Sequence, residues 1–85
     1  MSLFSRLFGG AKDPLPEPET YEGFTIIPTP IKEGQRFRLS ARIEKDGRSH
    51  TLIRADVVED IGTANSISTA KARQMIDEQG DRLFG

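Results

Sequence analysis

Residues 36–57, RFRLSARIEKDGRSHTLIRADV, decide the fold. Phe37, Leu39, Ala41 and Ile43 alternate with Arg36, Arg38, Ser40, Arg42 and Glu44, the two-residue period of a strand with one dry and one wet face. Asp46-Gly47 supplies a hairpin signal, and the second strand follows from Arg48. A one-residue slip would exchange the faces of a strand, so the turn must agree with the pattern. A two-residue Asp46-Gly47 turn sets Leu39 opposite Arg54 and Phe37 opposite Asp56. A three-residue Lys45-Asp46-Gly47 loop sets Leu39 opposite Ile53 and Phe37 opposite Ala55, with Gly47 in the left-handed position of a bulge. The three-residue loop is the expected one, because it pairs apolar with apolar.

Working outward, Tyr21 to Thr29 reads as an edge strand ended by Pro28 and Pro30, which lack ladder donors. A Glu33-Gly34 turn into the next strand sets Phe24 opposite Ile43 and Ile26 opposite Ala41. Downstream, about Thr63 to Gln79 is helical, with a Thr, Asn or Ser cap near its start and Gly80 as its stop. Ala64, Ile67, Ala72, Met75 and Ile76 form its inner side, interrupted by Lys71. Asp77 and Glu78 sit where the helix dipole disfavours carboxylates. Leu83 and Phe84 follow the stop and are placed to fold back and close the core. The expected fold is α+β: a three-stranded antiparallel meander (β-β-β) with one C-terminal helix packed on one face, a single domain over residues 21–85.

Residues 1–20 read as a flexible N-terminal peptide and a Pro-rich linker. In SLFSRLF, Leu3, Phe4, Leu7 and Phe8 fall on one side of a short helix, though seven residues are too few to hold helical shape alone. Gly9 and Gly10 end it, and the prolines at 14, 16 and 18 keep the linker extended. The segment suits a docking peptide for a partner or for the domain's own apolar strip, or a free tail. One short apolar face with one arginine does not give stable membrane association.

Composition narrows the function classes. The 85 residues are 35% hydrophobic with a formal net charge of -1, so one small core is affordable and a uniformly basic nucleic-acid binder is excluded. Charge is segregated: residues 21–58 hold seven basic and five acidic groups, and 59–85 hold three and five. There is no cysteine and a single histidine, which removes disulfides, thiolate zinc sites and Cys-His catalysis and points to a cytoplasmic protein. Any Ser-His-Asp proposal would need His50 with Asp56, six residues along a strand and out of reach. The glycines match no phosphate-binding motif, and neither an enzyme nor a cofactor is expected.

What remains is a surface. On the expected registers the outer sheet face carries Arg38 opposite Arg54 without an acid between them, beside Arg42, His50 and an apolar strip of Ile27 and Leu52. Arg38, Arg42, Arg54 and His50 are therefore candidates for a small anion or a phosphate backbone. Ile27, Leu52, Leu3, Phe4, Leu7 and Phe8 are candidates for a protein partner. The ordinary alternative is a solvated face whose arginines lie flat over the apolar strip. No aromatic side chain is available there for base stacking, and with one substantial helix there is no helix-turn-helix.

The stretches SLFSRLFGG, EGFTIIPTPIKEGQRFRLSARIEKDG, HTLIRAD and KARQMIDEQGDRLF resemble the HlyU transcriptional-activator family of small bacterial proteins. The IDEQGDRLF ending is the most specific part, whereas VVEDIGTANSISTA is not distinctive. The resemblance implies a transcriptional regulator of haemolysin-type genes in proteobacteria, with DNA or a transcription protein as partner.

Overall fold

The computed structural model describes residues 17–85. The readings made for Leu3, Phe4, Leu7 and Phe8 lie outside the described residues. Five antiparallel strands form one sheet: β1 (Glu19–Tyr21), β2 (Phe24–Pro28), β3 (Ile31–Glu33), β4 (Arg36–Lys45) and β5 (Arg48–Val58). The helix α1 (Ile61–Gln79) and a 3-10 turn (Gly80–Phe84) follow. The fold is α+β with one C-terminal helix, as expected, but the sheet has five strands in place of a three-stranded meander. Two features account for the difference. The segment from Phe24 to Glu33 pairs with β4 along its length but is broken by Thr29-Pro30 into β2 and β3. An extra strand, β1, begins inside the stretch read as linker and pairs Glu19 with Ile26 and Tyr21 with Phe24.

Strand β1 is held by polar contacts that composition does not advertise. Arg73 on α1 donates to Glu19, with Nη2 to Oε1 at 2.8 Å, and the Tyr21 hydroxyl donates to Asp77 Oδ1 at 2.8 Å. The second contact gives Asp77 a structural reason to sit near the negative end of the helix.

The central hairpin departs from the expected register. Lys45 lies opposite Arg48, so the turn has two residues, and both Asp46 (φ 52°) and Gly47 (φ 79°) adopt left-handed backbone. This is the twist-matched conformation that Asp-Gly favours. The clash of Leu39 with Arg54, which spoke for the longer loop, is avoided by a bulge. Ser40 faces Ile53, but Arg38 faces Val57, so three residues of β5, Arg54 to Asp56, stand against Leu39 alone. The preceding turn also differs: Glu33 pairs with Arg36, leaving Gly34-Gln35 as the turn, and Ile26 faces Ile43 while Pro28 faces Ala41.

Helix α1 lies on the face that holds Phe24, Ile26, Leu39, Ala41, Ile43 and Leu52, all buried. Its own buried positions include Ala64, Ser68, Ala72 and Ile76, spaced by four. Small side chains along this row let the helix approach the sheet closely, and Ser68 Oγ accepts a hydrogen bond of 3.0 Å from the Ser40 amide, a donor beside the break at Thr29-Pro30. The start is set by Asp60, whose carboxylate accepts from Thr63 N at 2.8 Å and from the Thr63 hydroxyl at 3.0 Å, not by the Thr, Asn or Ser expected near residue 63. Gly80 (φ 56°) ends the helix. Leu83 is then buried, and Phe84 stacks on Phe24 with ring centroids 6.0 Å apart, so the closing segment does fold back onto the core.

Candidate functional site

The bulge and the two-residue turn redistribute the residues singled out as a surface cluster. Arg38 and Arg42 point to the outer face, away from α1. His50 pairs with buried Ile43, and Arg54 lines a cleft against the helix, so both belong to the helix side. Arg38 and Arg54 do not stand side by side, and the four residues do not form one anion site.

Arg38 is instead bound into the sheet. Its Nη2 donates to Glu33 Oε1 at 2.9 Å, and its Nη1 donates to the carbonyls of Arg54 and Ala55, each at 3.2 Å. Those carbonyls belong to the bulge, where the ladder leaves acceptors without a strand partner. The pairing holds the Glu33 carboxyl below the usual carboxylate range, chiefly through the hydrogen bonds from Arg38, and raises the Arg38 guanidinium further. Arg42 pairs with Glu44 at 2.7 Å and Arg36 with Glu59 at 3.8 Å. Each outward arginine of β4 therefore has a glutamate beside it, and the face is close to neutral.

Its apolar content is the less expected finding. Leu52, read as part of an outer strip, is 5% exposed and faces Ala41 in the core. One position along, Ile53 is 57% exposed, and Ile31 on β3 is 40% exposed. Ile27 lies opposite Arg42 and Val57 opposite Arg38, which puts both on the same side, half-buried. Among the described residues no helix packs over this side. Reading Ile53 as the inward partner of Leu39 concealed it; the two-residue turn sets Ile53 opposite Ser40 and Leu52 opposite Ala41, and so turns Ile53 outward.

On the other side, Leu52, Arg54, Lys71, Gln74, Met75 and Glu78 line a small cleft of about 120 Å³ between β5 and α1. Arg54 and Lys71 make no ion pair among the described residues, which accounts for the lysine that interrupts the helix stripe: it faces the open edge of the sheet. Arg82 donates to the carbonyls of Glu78 and Gln79 and caps the last helical turn. Asp81 accepts from Lys45 Nζ at 3.0 Å.

Among the described residues no cluster of His, Cys, Asp or Glu is arranged to hold a metal ion, and no helix is long and apolar enough to cross a membrane. No curated protein and no solved structure matches the chain. The family model of the transcriptional activator HlyU matches residues 2–84. That match takes in the sheet, the helix and the closing turn alike, and the chain belongs to the HlyU transcriptional-activator family.

Proposed function

We propose that the chain acts in transcriptional regulation by docking on a protein of the transcription machinery through the outer sheet face, and does not itself read DNA. The observation that carries this reading is the pairing of exposed Ile31 and Ile53 with arginines that are already neutralised by Glu33, Glu44 and Glu59. Contact with a phosphate backbone depends on cations free to displace counterions, and each outward arginine of β4 would first have to leave its glutamate. Apolar side chains rimmed by paired charges are what a protein interface uses.

A second reading rests on Arg54 and Lys71, the two cations of the helix-side cleft, which have no ion pair among the described residues. They suit an anion or a nucleic-acid backbone, and the salt dependence of such binding would be marked.

One experiment separates the two. The tagged chain, Ile53→Asp, and Arg54→Glu with Lys71→Glu are used as baits in extracts of the native bacterium, with and without nuclease. Retention of an RNA polymerase subunit or a transcription factor in both arms, lost with Ile53→Asp alone, is the expected result. Capture that disappears on nuclease treatment and with Arg54→Glu and Lys71→Glu, but survives Ile53→Asp, overturns it.

A further inference from the structure

We infer that the amphipathic segment Ser2–Phe8 docks on the chain's own outer sheet face and competes there with the transcription partner; the competition rests on that face being the partner site. Ile31 on β3 and Ile53 on β5 are exposed on either side of β4, on the face that also carries half-buried Ile27 and Val57, and nothing covers them among the described residues. The same chain carries, in Leu3, Phe4, Leu7 and Phe8, a second apolar set that falls on one side of a helix too short to persist without a surface to pack on.

The connection is long enough. Described chain begins at Glu17, which lies with Glu19 and Pro28 beside Asn65, Thr69 and Arg73 of α1, on the helix side of the sheet at its β1 edge. Eight residues separate it from Phe8 and span up to about 26 Å when extended. Rounding the β1 edge and crossing over β2 and β4 to β5 requires three strand spacings, roughly 15 Å, within that reach. A tether of this length presents the segment at an effective concentration on the order of millimolar. Four apolar side chains that would bind only weakly as a free peptide can therefore occupy the patch in cis and still yield to a tighter partner.

The test uses the full chain, with methyl NMR of Ile27, Ile31 and Ile53 in wild type and in Phe4→Asp with Phe8→Asp, each at two protein concentrations about tenfold apart. Ile26 and Ile43, both fully buried, report whether the variant is folded. The inference expects the outer isoleucine signals to move in the variant while the buried ones stay, with no dependence on concentration. It also expects partner capture to rise, roughly two- to tenfold, as the competitor is removed. Outer signals identical in wild type and variant overturn the inference, and loss of capture with Ile53→Asp in that case leaves the partner site standing. Signals that move with concentration overturn it in favour of a second copy on the face. Signals that respond to Phe4→Asp with Phe8→Asp, while capture ignores Ile53→Asp, overturn the competition and the partner site together.

Discussion

Three carboxylates of this molecule are held ionised by named donors, and each makes stability depend on pH. Hydrogen bonds from Arg73 lower the Glu19 carboxyl, those from Arg38 lower Glu33, and the Thr63 amide followed by the Thr63 hydroxyl lowers Asp60. A carboxyl whose folded value is depressed stabilises the fold above the unfolded value, and that contribution is lost as pH falls through the folded value. Urea midpoints should therefore hold from about pH 7 to about pH 5 and decline below that, toward about pH 3, and Glu19→Gln with Glu33→Gln should flatten the decline. A decline as steep as in wild type would show that these pairs contribute nothing across that window. Ser68 tests a different kind of residue, since it is 1% exposed and its hydroxyl accepts from the Ser40 amide. Removing the acceptor leaves a buried donor without a partner, which costs about 1–3 kcal/mol, so Ser68→Ala should lower the denaturation free energy by that amount. Thr69→Ala is the comparison: its hydroxyl bonds only to the Asn65 carbonyl within the helix, and its loss should cost less.

At the scale of elements, the hairpin turn sets where every side chain of β5 points. Asp46 and Gly47 both take left-handed backbone, which a side chain at Gly47 would oppose by about 1 kcal/mol, so Gly47→Ala should destabilise by that much in urea unfolding. Asp46→Asn should not, because asparagine adopts this conformation readily. What the sequence made legible follows the same division. The alternation from Phe37 to Ile43, the helix with its Gly80 stop, and the return of Leu83 and Phe84 are all periodic or punctuated in the chain itself. The bulge at Arg54 to Asp56 is not, because it repairs a conflict between turn chemistry and apolar pairing, and a pattern rule can only choose one of the two. Strand β1 was hidden for a related reason: Glu19 and Tyr21 are fixed by Arg73 and Asp77, 54 and 56 residues away. The site suffered most from the choice of the three-residue loop over the two-residue turn. The same error turned Leu52 outward, Ile53 inward, and paired Arg38 with Arg54 across a face that they do not share.

At the scale of the whole molecule, the described residues form a single layer of sheet under one long helix, so the two faces of that sheet should answer substitution in opposite ways. Ile26 has no exposed surface and packs in the one core with Ile43, Leu52 and Ile76. A domain of this size holds only about 3–5 kcal/mol of net stability, and truncating a buried isoleucine to alanine costs about 2–5 kcal/mol. Ile26→Ala should therefore leave a large unfolded fraction without denaturant, visible as lost methyl dispersion and a shortened or absent native baseline in urea. Ile53 has most of its surface in water already, so replacing it by aspartate costs only the strand propensity, up to about 1 kcal/mol, against about 2–5 kcal/mol in the core. Ile53→Asp should lower its urea midpoint only slightly and keep its Ile26 and Ile43 methyl signals while losing the transcription partner. Strand propensity favours a β-branched residue at that position, but threonine would meet that need on the solvent side without the exposed apolar surface. A marked loss of stability in Ile53→Asp would mean that the side chain is packed in solution, and would transfer the residue from the interface to the core.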